Sequence, residues 1–301
     1  MGALLMGLLL RATGFFMSGI LIFSAPPRFG STFEPADEKN LKAQFSVISD
    51  THIESMNVVR FGGLAKSLRD IKAGKARQDA LVLLGDNTAA GKRFEYFMLY
   101  SLLSHYGGAK YILAAVGNHD LDGPVSRHNF YYRALARTNN KKPYYSKTIN
   151  GYAMIVMGSE KQVPRGYAHI SSAQIKWLDG QLKAAVKGGK PAFVFNHQPL
   201  NHTFPDGGWG GVGEQSQAIR EVLRKYSNVF FFSGHVHTPA SRLSIQKEGG
   251  VTYVDVPTLL SKAPAGIGYQ VEVYGNRVLL RARNFRTGAW IDRNNYSIAL
   301  K

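Results

Sequence analysis

Cysteine is absent from all 301 residues, which excludes disulfides, thiolate-bound zinc, a thiol nucleophile and a lipid carried on an N-terminal cysteine. Any metal must therefore be held by His, Asp, Asn or Glu side chains. Acidic residues are scarce: 20 Asp and Glu face 37 Lys and Arg, a net charge of +17. That balance favours anionic partners such as phosphate esters, nucleic acid, acidic lipid or wall polymers. The basic residues are scattered from Lys39 to Arg283 without the aromatic-interleaved stripe of a nucleic-acid groove, so nucleic acid is the least expected of these. Repeats and low-complexity tracts are also missing. What is present, 45% hydrophobic and 12% aromatic residues, suffices for a large core in one α/β domain or two smaller ones. Nothing in the sequence sets the oligomeric state.

Residues 1–25 are mostly apolar, Arg11 is their only charge, and Pro26-Pro27 ends the run. The stretch reads as a signal peptide or an uncleaved membrane anchor. Phe23 lies three residues before a cut after Ala25, where a small residue is wanted, and Arg11 is costly in a span. A start at Met6 or Met17 is the third reading, and under it the protein is cytoplasmic. The expected organisation is thus 1–27 signal peptide or anchor, 28–42 linker and 43–301 a single folded domain, exported or anchored facing outside, with membrane association through residues 1–25.

Within 43–301, short apolar runs alternate with helical periodicity. Phe45–Ser49, Ala80–Leu84, Tyr111–Val116, Ala192–Phe195 and Val229–Phe232 read as buried strands. Phe61–Ala73, Phe94–Tyr106, a helix capped by Ser171 and Glu214–Tyr226 read as helices. This rhythm is that of βαβ units and largely parallel pairing. Asn150-Gly151 predicts a tight hairpin between 144–149 and 152–157, and the C-terminal runs 251–256, 269–274 and 278–282 read as antiparallel strands. The glycine-rich segment from Leu200 to Gly213 fits no period and reads as a long loop beside a site.

Each of the five strands ends in a polar cluster: Asp50/His52, Asp86, Asn118/His119/Asp120, His197 and His235/His237. In open α/β sheets ligands collect at the carboxyl ends of strands, so strands sharing one sheet would bring all five clusters to one edge. Alone, Asp86 is a common turn residue, Asn118 an αL-tolerant one, and His235 and His237 ordinary strand-end residues. Their coincidence at five strand ends carries the argument.

The order Asp-x-His, Gly-Asp, Gly-Asn-His-Asp, His and Gly-His-x-His over residues 44–240 resembles the calcineurin-like metallophosphoesterases, which include Ser/Thr protein phosphatases, purple acid phosphatases and class III cyclic-nucleotide phosphodiesterases. The resemblance implies a four-layer αββα sandwich of two mixed β-sheets with the metals at one end. It assigns Asp50, His52 and His237 to a first metal, Asn118, His197 and His235 to a second, and Asp86 to a bridge between them. The cofactors are then two ions of Mn, Fe or Zn, which suit an all-N/O set. The implied activity is hydrolysis of a phosphomonoester or phosphodiester, of a small molecule or polymer, by in-line attack of a bridging hydroxide. His119 resembles the residue that protonates the leaving group. One departure stands out: Ala89 and Ala90 occupy the place where relatives often carry acidic residues, which leaves Asp120 as the alternative carboxylate to orient His119. Two other functions are consistent with the chain, a catalytically weak metal-binding module at the membrane and a nuclease. The complete ligand set together with His119 argues for the enzyme. Of the other histidines, His105 and His128 read as helix-surface residues and His202 as a loop residue for which substrate contact is the lesser reading; Trp209 and Tyr131 read as packing before contact, and Arg127 and Arg165 as solvated surface before a second anion site.

Overall fold

The hydrophobic runs become strands in which alternate side chains face two different cores. A computed structural model describes residues 35–73, 78–124, 126–130, 141–204, 209–237, 245–259 and 266–301. The expected signal or anchor segment, residues 28–34 of the expected linker and Tyr131 lie outside them. In chain order the elements are β1 (Ala43–Ile48), α1 (Val58–Ala73), β2 (Ala80–Leu83), α2 (Arg93–Tyr106), β3 (Tyr111–Ala114), β4 (Tyr145–Ile149), β5 (Tyr152–Val156), α3 (Ser172–Ala185), β6 (Ala192–Phe195), α4 (Ser216–Arg224), β7 (Val229–Ser233), β8 (Ile245–Glu248), β9 (Val251–Asp255), β10 (Ile267–Val273), β11 (Arg277–Asn284), β12 (Ala289–Trp290) and β13 (Tyr296–Ala299).

They form two mixed sheets. The first has the order β12-β11-β10-β1-β2-β3, with β13 also on β11; the second runs β4-β5-β6-β7-β9-β8. β1, β2 and β3 are mutually parallel, as are β5, β6, β7 and β9, while β10 lies antiparallel to β1 and β4 and β8 close the second sheet as antiparallel edges. In the parallel strands the pleat sends odd residues of β1 (Phe45, Val47) toward Phe193, Phe195, Phe230 and Phe232 of the second sheet, in one inter-sheet core. Ile48, Leu81, Leu83 and Ala114 point the other way and pack under α1 and α2 through Leu64, Leu68, Leu99 and Leu102. Val194, Phe231 and Tyr253 pack under α3 and α4 through Leu178, Leu182 and Ile219. The result is the four-layer αββα sandwich.

Local chemistry explains the junctions. Asn150 and Gly151 take φ of 51° and 83°, the left-handed pair that a two-residue hairpin requires, and Ser171 accepts from the Gln174 amide to start α3. The expected linker is partly ordered: the Ala36 amide donates to Glu272 and the Asp37 amide to the Tyr274 hydroxyl. Arg283, fully buried, is paired in a fork with Asp70 at 2.7 and 2.8 Å and ties β11 to α1. His128 is not the surface residue expected. It is 2% exposed, 3.4 Å from the Tyr96 hydroxyl, and burial lowers its pKa to about 4.

Candidate metal centre

The carboxyl ends of β1, β2, β3, β6 and β7 meet at one end of the sandwich. Backbone hydrogen bonds knit them: the Asp50 amide donates to the Gly85 carbonyl, His52 to Asp86, Gly234 to His197 and Leu259 to Ser49. The polypeptide bends sharply there. Asp50, His52, Asp86, His235 and His237 all have positive φ, between 39° and 71°, and a residue so placed turns its side chain out of the strand direction and into the space between the two sheets' ends. Two glycines of the motifs are required by space. A Cβ on Gly117 would lie 2.2 Å from the Asp86 amide nitrogen and Oδ1, and one on Gly234 would lie 2.0 Å from Ser49 Oγ.

The side chains so directed form three interlocking groups whose donor atoms lie within 4.8 Å of one another: Asp50, His52 and His237; His52, Asp86 and His119; Asp86, His197 and His235. Asp86 belongs to two of them. His237 Nε2 is 3.1 Å from Asp50 Oδ1, His52 Nε2 is 3.7 Å from the same atom, and Asp86 Oδ2 lies 3.8 Å from His52 Nε2 and 3.2 Å from His197 Nε2. Asp50, Asp86, His197 and His235 are buried, and His52, His119 and His237 line the mouth.

The rings are held so that one nitrogen of each faces inward. His197 Nδ1 is 2.9 Å from the Leu84 carbonyl, His235 Nε2 is 3.0 Å from the Trp209 carbonyl and His119 Nδ1 is 3.1 Å from the Ala89 carbonyl. Each carbonyl can only accept, so it fixes the tautomer and leaves the other ring nitrogen to the site. Ser49 Oγ, 2.6 Å from Asp50 Oδ2, and the His235 amide at 3.2 Å hold the far side of that carboxylate. Among the fourteen buried side-chain atoms of the described residues that lack a hydrogen-bond partner in the protein, two lie on motif residues of this cluster, Asn118 Oδ1 and His197 Nε2; the latter is 3.2 Å from Asp86 Oδ2. An unsatisfied buried polar atom is costly, and both atoms are of the kind that a bound cation would satisfy. With two carboxylates, four imidazoles and an amide oxygen, the donor set fits two divalent ions of the borderline class.

The electrostatics fit the same conclusion. Burial works against the charged forms throughout. Hydrogen bonds from His237 and His52 and the charge of His197 nonetheless hold Asp50 well below the usual carboxylate range, and His197 holds Asp86 low. Burial would depress His197, but Asp86 and then Asp50 raise it to about 9. His235, desolvated and facing His197, is lowered to about 4. The two buried carboxylates favour positive charge between them, and the raised pKa of His197 is the clearest sign of it.

Asp120 is placed differently from the sequence expectation. Its carboxylate is fully buried and accepts from the amides of Asn87, Thr88 and Gly117, from Asn87 Nδ2 and from Thr88 Oγ1, with no hydrogen bond to His119. It clamps the loop that carries Asp86. The orienting contact on His119 comes instead from the Ala89 carbonyl, and Asp122 Oδ2 lies 3.8 Å away. His202 is exposed on the far side of the 200–204 loop, among Asn201, Glu214 and Arg220, while Trp209 sets its ring 4.9 Å from His237. The backbone carbonyls of Leu84, Ala89 and Trp209 escape sequence reading because every residue has one.

The chain belongs to the calcineurin-like phosphoesterase family, whose model matches residues 43–239. It is a phosphoesterase by that membership, and the family implies a dinuclear divalent metal centre at the cluster described. The fold is shared with a dimetal phosphatase from Danio rerio, at 16% identity and a TM-score of 0.68, covering 87% of this chain and 100% of that one. It is shared also with a purple acid phosphatase from yellow lupin (Lupinus luteus) seeds, at 14% identity and 0.59, covering 90% of this chain and 55% of that one. No curated relative matches the sequence.

Proposed function

We propose that the protein hydrolyses a phosphomonoester or phosphodiester at a two-metal centre in which Asp50, His52 and His237 hold one ion, Asn118, His197 and His235 the other, and Asp86 both. The observation that carries this reading is the convergence of the Asp and His side chains of the five strand ends into three groups of close donor atoms, two of which contain Asp86. Manganese, iron and zinc all suit the donors. Two such ions, when bound, activate water near neutral pH and neutralise the phosphoryl oxygens. The chain's own contribution is positional. Asp86 Oδ1 accepts the His119 amide at 2.9 Å, so the bridging carboxylate also fixes where His119 begins. With Nδ1 on the Ala89 carbonyl, His119 presents Nε2 at the mouth beside His52, ring centres 5.0 Å apart, where it protonates the departing ester oxygen. The apolar stretch 1–25 supports export or anchoring, which fractionation of the producing cells tests. Among the described residues, no helix is long and apolar enough to cross a membrane.

The test is hydrolysis of an aryl phosphomonoester and an aryl phosphodiester by the purified protein with Mn²⁺, Fe²⁺ or Zn²⁺. His119→Ala should keep its metal while turnover drops ~10²–10⁴-fold. Asp86→Ala should lose metal and activity together, and retained turnover in that variant would refute the shared-ligand assignment.

A further inference from the structure

Seven large apolar side chains are exposed among the described residues, and most are carried by segments that follow or touch the strand ends of the metal centre. Met56, Val58 and Val59, 75–85% exposed, follow the ligands of β1. Phe94 opens α2 directly after the Asp86 loop, and Phe130 lies three residues beyond Arg127, whose guanidinium donates to the Gly91 carbonyl of that loop. Across the mouth, Trp209 and Tyr167 are 49% and 37% exposed, with Tyr167 packed against Gly210. The Met56–Val59 and Phe94 segments are built together, since Ile53 pairs with Thr88 and α1 packs on α2. Scattered exposed apolar residues need no explanation, but their segregation to one rim does.

The rim is also basic. Lys92 and Arg93 flank Phe94, and Lys161 and Arg165 precede Tyr167, all exposed. Of the nearby acids, Glu54 is paired with Arg60 at 3.1 Å, Asp122 accepts from Gln162 and Glu160 from the Ser171 amide, and Glu214 is exposed beside Gly213. Apolar and aromatic side chains interleaved with Lys and Arg, on a protein of net charge +17, are the composition of a surface that seats in the headgroup region of an anionic bilayer.

We propose that this rim docks on an anionic lipid surface with the metal centre facing the bilayer, and that the substrate is a phosphate ester carried by a lipid. The docking rests on the rim alone; the substrate class rests on the phosphoesterase reading. Ala36 and Asp37 attach at Glu272 and Tyr274, at the end of the sandwich opposite the rim.

The experiment compares the full-length protein with the triple variant Met56→Ser/Val59→Ser/Phe94→Ser, whose exposed positions leave the fold intact, as thermal melting verifies. Tryptophan quenching is measured on vesicles of brominated phosphatidylcholine with and without phosphatidylglycerol. Hydrolysis is measured on phosphatidic acid in the same vesicles and on a soluble aryl phosphate. The wild type should be quenched more strongly on the anionic vesicles, and the variant should lose that quenching. The variant should hydrolyse vesicle-borne phosphatidic acid about 10-fold more slowly with soluble-ester turnover unchanged. Equal quenching and equal rate ratios in the two proteins would overturn the proposal, as would a wild-type oligomer that the variant breaks in sedimentation, which assigns the rim to a protein partner. Variant-sensitive quenching in a protein inactive on every ester would retain the docking and refute the phosphoesterase reading.

Discussion

Replacing Asp120 by Asn separates two roles that the sequence alone leaves equivalent. Its two oxygens take five donors: Oδ1 accepts Thr88 N at 2.9 Å and Thr88 Oγ1 at 2.8 Å, and Oδ2 accepts Asn87 N, Asn87 Nδ2 and Gly117 N at 3.0–3.2 Å. An amide in either orientation loses at least two of these acceptor contacts and points its own NH₂ at the abandoned donors. Hydrogen bonds to a buried carboxylate contribute roughly 1.5–3 kcal/mol each, so the variant should lose at least ~3 kcal/mol of stability. For a domain of this size that is a fall in Tm of roughly 6–12 °C. Because the clamped segments flank Asp86 and Asn118, metal affinity should fall in the same variant. The assay is thermal denaturation with metal content by mass spectrometry, followed by turnover at saturating metal. A clamp predicts a lowered Tm and weaker metal binding, with turnover largely restored by excess metal. An Asn variant with unchanged Tm and full metal, but turnover that excess metal does not restore, would refute the clamp and return Asp120 to the orientation of His119.

Acid should destabilise the protein through His128: its folded pKa of about 4 lies below the usual 6.5, so the unfolded chain takes up the proton first and stability falls as pH drops through 6.5, levelling near 4. Between pH 7 and pH 5 this amounts to about 2 kcal/mol that a folded His128→Asn protein should not lose, and parallel urea-melt profiles for the two proteins would contradict it. Gly117→Ala should cost ~1–3 kcal/mol and most of the metal affinity, because its Cβ meets the Asp86 amide and carboxylate at 2.2 Å; full metal occupancy in that variant would show that the loop yields more easily than the geometry allows. Chelation should lower Tm, since metal held at a hundredfold its Kd stabilises by about 2.7 kcal/mol, and calorimetry that finds no shift on adding Mn²⁺, Fe²⁺ or Zn²⁺ would count against the centre.

The strand ends were legible because buried parallel strands read as continuous apolar runs, and the ligand types stood at their ends. The hairpin at Asn150-Gly151 and the cap at Ser171 were legible because each is one residue type answering one backbone requirement. What escaped was non-local. β8, β12 and β13 are short edge strands of mixed polarity, visible only once β9 and β11 are in place. His128 faces Tyr96 rather than water, a consequence of how the segment after Asp122 packs on α2. Asp120 follows His119 directly, yet the tight turn at 119–122 sends the two side chains in different directions.

The bland and the functional readings of the ligand residues turn out not to compete. Asp86 is a left-handed turn residue, φ 46°, and it is also the carboxylate shared by two ligand groups. Asn118, the residue one would call αL-tolerant, has φ −68° and ordinary helical geometry, so conformational tolerance does not account for its presence, and its side-chain oxygen is buried without a hydrogen-bond partner. Asp and His tolerate αL better than most side chains and are also the residues that ligate borderline metals. A strand that must stop, reverse its local hand and present a donor therefore needs the same few residue types for both reasons. Left-handed backbone costs an L-residue ~1–2 kcal/mol, and five such positions converge on one small volume. Strain of that kind persists only where the surroundings over-determine it, and a bound ligand would add to the stability of the folded state at that point.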